Sequence, residues 1–208
     1  MCQELQKEQI RTFLAGRGRQ TLDIMREFAV LILLVEKKDG MHFLFEKRAA
    51  KIKQPGDICF PGGKMEPGES IEDCALRETY EEIGLKNIEL LGKYGTQYEL
   101  ASIAMHAVVG IMPETELKNL KLSEAEVAEV FTVPVRFFAE TEPYIYEQDI
   151  VQDTADFPYE MTGIRSDYKW RVGHKQIAIY HYEDKIIWGL TASFVRHLAD
   201  EWKDAKMI

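Results

Sequence analysis

The chain has 208 residues, enough for one sizeable domain, and its 26 Lys and Arg against 35 Asp and Glu give a formal net charge of −9. This acidic balance argues against a nucleic-acid backbone as the main partner. No apolar run reaches the roughly 18 residues that a membrane span needs, and the polar N-terminus lacks the blocks of a signal peptide. The three cysteines are too scattered for a disulfide framework, so we expect a cytoplasmic protein with reduced thiols.

Strand and helix patterns follow one another along the chain without a regular alternation. In the first part of the chain we predict a helix over 3–18, two strands over 28–36 and 41–48 joined as a hairpin, a loop over 49–57 and a short apolar segment over 58–60. A helix follows between Ser70 and Gly84, and then strands over 88–97, 103–112 and 127–135. The last part has an irregular segment over 140–166, strands over 168–172 and 176–187, and a helix over 190–205. This mixture favours one α/β domain with a mixed sheet. We expect residues 1–25 to form a helix and lead-in, and residues 26–208 to form the domain.

Three glutamates share one side of the helix predicted over 70–84. Glu78 and Glu82 point within roughly 40° of each other, because each residue turns a helix by about 100°, and Glu81 falls on the same side. Apolar residues one and two turns earlier share this face, so the carboxylates lie where the helix meets the sheet. Like charges at this spacing repel, and partial burial raises the cost. A divalent cation would remove the conflict; the alternative is a solvated acidic face.

Gly62 and Gly63 form a turn just ahead of this helix. Without side chains, the backbone of the turn can approach another group closely. It can therefore lend a carbonyl oxygen to the same cation, or admit a phosphate near the start of the helix. The sequence thus predicts a site in which a glycine turn and a glutamate face work together.

The spacing of this segment resembles the signature of the Nudix hydrolases. All eight fixed positions match: Gly63, Glu69, Arg77, Glu78, Glu81, Glu82, Gly84 and Leu85. The one departure is Thr79, which stands at an apolar position of the signature. The resemblance implies the Nudix fold, a mixed sheet sandwiched between helices, and hydrolysis of a nucleoside diphosphate linked to another group.

The same resemblance assigns roles to the matching residues of this sequence. It implies that Glu78 and Glu82 are the principal ligands of Mg²⁺ or Mn²⁺, and that Glu81 adds a ligand or acts through bound water. The carbonyl of Gly63 would complete the shell, and Arg77 would orient the glutamates. Water activated by the metal would attack one phosphorus of a pyrophosphate.

Flanking segments resemble the coenzyme A pyrophosphatase branch of this family. They are residues 48–63, 126–134 and 187–192, in the order and spacing of that branch. Arg48, Lys51 and Lys53 place three cations in the loop before the glycine turn, which suits charge-assisted contacts to the phosphates of coenzyme A. The resemblance implies a small-molecule nucleotide substrate, cleaved to 4′-phosphopantetheine and adenosine 3′,5′-bisphosphate. We expect no nucleic-acid or membrane partner, and we consider a homodimer as the candidate assembly.

Two questions stay open at this stage. The general base is either Glu78 or a loop glutamate, Glu124 or Glu126. The alternative functions are a Nudix hydrolase acting on ADP-ribose, a dinucleotide or an oxidised nucleotide, and a Nudix fold that only binds a nucleotide as a regulator. Retention of every signature glutamate argues against the last alternative.

Overall fold

The computed structural model describes residues 2–15, 26–99 and 102–207. Its helices and strands, in chain order, are α1 (Cys2–Ala15), β1 (Arg26–Lys37), β2 (Gly40–Arg48), β3 (Ile58–Cys59), β4 (Gly62–Lys64), α2 (Ile71–Ile83), β5 (Glu89–Glu99), β6 (Ile103–Pro113), a 3₁₀ helix (Glu114–Asn119), β7 (Val127–Pro134), α3 (Val135–Glu140), β8 (Tyr144–Ile150), α4 (Tyr159–Thr162), β9 (Gly173–Tyr182), β10 (Lys185–Trp188) and α5 (Gly189–Asp204).

A seven-stranded sheet forms the centre of the fold, with β1 in its middle. β1 runs parallel to β6 and antiparallel to both β2 and β4. β2 pairs in turn with β3 and β7, and β5 closes the far side against β6, all antiparallel. The predicted hairpin over β1 and β2 and the predicted mixed sheet are therefore confirmed.

Side chains of the central strands alternate between two hydrophobic cores. On β1, Leu31 and Leu33 are buried in the core that also contains residues of α2. Ile32 and Leu34 point the other way, into the core shared with α3 and α5. Period-2 alternation of buried residues is what a strand covered on both faces requires. The sheet therefore lies between helices, as predicted.

The helix α2 begins and ends at the predicted residues. Its N-cap is Ser70, whose Oγ accepts the N–H of Asp73 at 3.1 Å. Its C-cap is Gly84, whose φ of 78° is a left-handed conformation that favours glycine. Ala75 and Ile83 are fully buried against the sheet. Capping and burial together fix the rotation of the helix, and hence the direction of its glutamates.

Two predictions late in the chain are wrong. The segment 140–166, predicted to be irregular, contains β8 and the short helix α4, and β8 joins β9 and β10 in a second, antiparallel sheet. Residues 168–172, predicted to be a strand, form none. Instead the rings of Tyr168 and Phe157 pack against Trp170, with centroids 5.2 Å and 4.8 Å from it. Aromatic packing has replaced strand pairing at this position.

The N-terminal helix α1 lies where the sequence predicts it. Its predicted end at 16–18, and the lead-in through residue 25, fall outside the described residues, so the division of the chain after residue 25 stays a prediction. None of the described helices is long and apolar enough to cross a membrane.

Candidate active site

Two glycines bring the backbone of β4 directly against its neighbours. A Cβ atom on Gly62 would lie 2.3 Å from the carbonyl oxygen of Ala29, and one on Gly63 would lie 2.4 Å from the carboxylate carbon of Glu78. The N–H of Gly62 donates to Oε2 of Glu82 at 2.8 Å. The predicted glycine turn and the predicted glutamates are therefore in contact, and neither glycine position has room for a side chain.

Arg77 connects the other signature carboxylates. Its Nε and Nη2 donate to the two carboxylate oxygens of Glu69 at 2.8 and 3.1 Å. Its Nη1 donates to Glu78 at 2.8 Å and to Glu81 at 3.1 Å. The hydrogen bonds from Arg77 lower the pKa of Glu69 to about 2. The guanidinium group thus holds these three glutamates through charge-assisted bonds.

Four carboxylates repel one another beside α2. Burial is the main cause that raises the pKa of Glu82, and the charges of Glu46 and Glu78 raise it further. Burial likewise raises the pKa of Glu46 and of Glu78. The charge of Glu126, just before β7, adds to the repulsion at all three groups. Arg77 opposes this repulsion at Glu78 and Arg48 opposes it at Glu46, but burial outweighs both, and the pKa of each carboxyl stays raised.

Glu46 is the member of this cluster that the sequence patterns did not single out. It lies on β2, is 1% exposed, and accepts the S–H of Cys59 on Oε1 at 3.4 Å. It directly follows the apolar run Phe43–Phe45, but this order of residues alone does not predict that a glutamate is buried, since acidic residues are rarely fully buried without a partner.

The residue types of the cluster suit a hard divalent cation, because every side-chain atom that could bind the ion is a carboxylate oxygen. Oε2 of Glu46 is also buried without a hydrogen-bond partner in the part of the chain that the structure describes. Within 2–15, 26–99 and 102–207, however, no group of three or more His, Cys, Asp or Glu side chains is positioned to hold a metal ion. In this arrangement Arg77 donates to one oxygen each of Glu78 and Glu81.

The cationic loop between β2 and β3 adjoins the carboxylate cluster. Arg48 donates from Nε to the carbonyl of Lys53 at 2.9 Å, and its charge acts on Glu46. A backbone N–H of the loop donates to the carbonyl of Glu126 at 2.8 Å. Lys51 and Lys53 themselves are exposed. The structure therefore gives Arg48 a role in shaping the loop, and leaves two lysines at its surface.

A comparison with protein families identifies this fold. Residues 25–149, more than half of the chain, match the family model described as the NUDIX domain. The chain belongs to the Nudix family. A solved Nudix structure agrees with this: a MutT/nudix family protein from Enterococcus faecalis superposes with a TM-score of 0.52 over 95% of this chain and 69% of its own, at 16% identity. At that identity the likeness concerns the fold alone, and it confirms the predicted Nudix fold.

Two curated relatives of this Nudix chain carry more specific names. It is 37% identical over 118 residues to Nudix hydrolase 3 of Caenorhabditis elegans, covering 54% of this chain and 49% of that protein. It is 32% identical over 135 residues to peroxisomal coenzyme A diphosphatase NUDT7 of Mus musculus, covering 63% of this chain and 56% of that protein. The chain therefore spans about half the length of these two relatives.

The two glycines predict two different mutant phenotypes. Gly63→Ala would push the carboxylate of Glu78 out of the position in which Arg77 holds it, so we expect a folded protein whose hydrolytic activity falls on the order of 100-fold. Gly62→Ala collides with backbone, so we expect a stability loss of about 3 kcal/mol. Urea unfolding and initial rates separate the two effects. Gly95→Ala, where an added Cβ meets open space, is the matched control. Equal stability losses for the first two variants would contradict this interpretation.

The raised pKa of Glu82 predicts how the metal-free protein responds to pH. Above the ordinary carboxyl pKa of 4.5 the unfolded chain releases a proton that folded Glu82 retains, so stability falls as pH rises. We expect Glu82→Gln to flatten this decline between about pH 5.5 and 8.5, because it removes the group that titrates differently in the two states. Chemical unfolding in EDTA across this range measures the slope. Parallel slopes for the variant and the native sequence would rule out this assignment.

Proposed function

We propose that the chain is a divalent-metal-dependent Nudix pyrophosphohydrolase, and that its substrate is coenzyme A. The observation that carries the catalytic part is a set of repelling carboxylates, of which Glu46 and Glu82 are buried and Glu78 lies against Gly63. Charges in such an arrangement are costly unless a cation neutralises them. In this proposal Glu78 and Glu82 hold Mg²⁺ or Mn²⁺, the carbonyl of Gly63 assists, and Glu81 joins once Arg77 releases it.

A bound divalent ion would supply Lewis-acid stabilisation of the charge on the phosphate oxygens. The chain itself must orient the substrate and accept a proton. As the water oxygen bonds to phosphorus, the bridging P–O bond breaks and the water proton passes to a carboxylate base. We assign the base to Glu126, because its charge acts on Glu78 and Glu82 and its carbonyl is anchored by the cationic loop. Glu124, two residues earlier, is the alternative.

Two observations support coenzyme A among the pyrophosphates. One is the similarity to a mouse protein named as a coenzyme A diphosphatase. The other is the position of Lys51 and Lys53, which are exposed on a loop that adjoins the carboxylate cluster in a chain of net charge −9. Coenzyme A carries a 3′-phosphate beyond its pyrophosphate, and this additional anion suits a pair of exposed ammonium groups.

The catalytic proposal predicts metal-dependent cleavage of coenzyme A. With Mg²⁺ or Mn²⁺ we expect equal amounts of 4′-phosphopantetheine and adenosine 3′,5′-bisphosphate, identified by mass spectrometry, and no cleavage in EDTA. Glu82→Gln should lower kcat by at least about 100-fold, because it removes a charged ligand. The same assay with ADP-ribose, dinucleotides and oxidised nucleotides ranks substrates by kcat/KM. A higher kcat/KM for one of these would replace coenzyme A as the proposed substrate and leave the proposed metal-dependent hydrolysis standing. If none of the compounds, coenzyme A included, is cleaved, both the substrate and the hydrolytic function are refuted.

The substrate proposal predicts a selective effect of the loop lysines. Lys51→Ala or Lys53→Ala should raise KM for coenzyme A about tenfold, since a charge-assisted contact to phosphate contributes about 1.5 kcal/mol or more. Dephospho-coenzyme A lacks the 3′-phosphate, so its KM should be unaffected. Lys38→Ala, in the exposed turn at the opposite end of β2, is the control. Equal changes in KM for coenzyme A and dephospho-coenzyme A would show that the lysines of this loop do not contact the 3′-phosphate.

A further inference from the structure

Glu46 lies on the face of the sheet that α2 covers. Its neighbours on β2 alternate: Leu44 belongs to the core shared with α2, while Phe43 and Phe45 belong to the core shared with α5. Side chains two residues apart on a strand share a face. Glu46 therefore projects toward α2, from which Glu78 and Glu82 extend, although it lies outside the segment that carries the family signature.

The surroundings of Glu46 leave one carboxylate oxygen unused. Its Oε1 accepts the weak S–H donor of Cys59 at 3.4 Å. Its Oε2 is buried, and within the described residues no hydrogen-bond donor reaches it. Glu78 and Glu126 act on it as like charges, and Arg48 is the opposing charge. Glu46 in turn is the largest source of repulsion on Glu82.

A carboxylate in this position is costly for the fold alone. Leu44 shows that the same face of β2 packs an apolar side chain fully. An apolar residue at position 46 would avoid both the loss of hydration and the repulsion of the other carboxylates. A divalent cation beside Glu78 and Glu82 would make a carboxylate at position 46 favourable, since the cation would bind its buried oxygen and attract its negative charge.

We propose that Glu46 is a ligand of the divalent-metal centre, contributing Oε2 from the sheet opposite the glutamates of α2. The centre then draws on two elements: the helix, through Glu78 and Glu82, and the second strand of the sheet, through Glu46. This inference rests on the proposed metal-dependent function, but it concerns a residue that the signature does not contain.

Direct metal binding tests the proposal without relying on catalysis. The dissociation constant of Mn²⁺ is measured by the electron paramagnetic resonance signal of the free ion, on the full chain without substrate. Glu46→Gln keeps the shape and removes the charge, and we expect it to weaken Mn²⁺ binding 10- to 100-fold. The rise in Tm on adding Mn²⁺ should shrink in parallel. Glu129→Gln is the matched control, because Glu129 lies on the adjacent strand β7 and binds Lys185 of β10 at 2.8 Å.

The outcomes separate this inference from the proposed function. If the native sequence binds no Mn²⁺, the metal-dependent function fails. If it binds Mn²⁺ and Glu46→Gln binds it equally well, Glu46 is not a ligand, whatever happens to turnover. Glu46→Leu provides a second test should the glutamine variant fold poorly, because leucine matches the packing of Leu44 on the same face. Unchanged Mn²⁺ affinity in this variant would also overturn the proposal.

Discussion

The guanidinium group of Arg77 holds the acidic face of α2 in one arrangement. It binds Glu69, which precedes the helix, through two nitrogens, and reaches Glu78 and Glu81 with a third. Carboxylates at this helical spacing repel one another, and a cation fixed among them offsets that repulsion. The fork geometry of arginine supplies several directed donors at once, which a lysine would not. Four of the eight signature positions, Glu69, Arg77, Glu78 and Glu81, therefore belong to one set of contacts around a single side chain.

The second constraint is the close approach of β4 to α2. Gly63 occupies space that any Cβ would share with the carboxylate of Glu78, and Gly62 does the same against the backbone of β1. This approach lets an N–H of the turn bind Glu82 directly. The sheet thus contributes backbone donors and acceptors to a site whose side chains come from the helix. Rigid elements on both sides keep these groups in place, which a loop-borne site would not achieve.

Local patterns in the sequence predict most of the fold but not all of the site. The caps at Ser70 and Gly84 and the alternation along β1 are signals carried by adjacent residues, and the structure confirms them. Glu46 is different, because its meaning depends on pairing between β2, β3 and β7, which no local period encodes. The missed strand β8 and the strand wrongly predicted over 168–172 have the same origin, since tertiary packing decided both.

The end of β2 places an acidic and a basic side chain within two residues of each other. Glu46 belongs to the acidic cluster, whereas Arg48, two residues on, opens the cationic loop. Two residues of strand span roughly 7 Å, so the buried carboxylate lies close to the start of the cationic loop. A strand that changes from apolar core to opposite charges within so short a distance is locally inconsistent with folding alone. In the proposed function, that inconsistency is the physical reason for placing the metal centre beside Glu46 and the substrate phosphates near the loop that Arg48 opens.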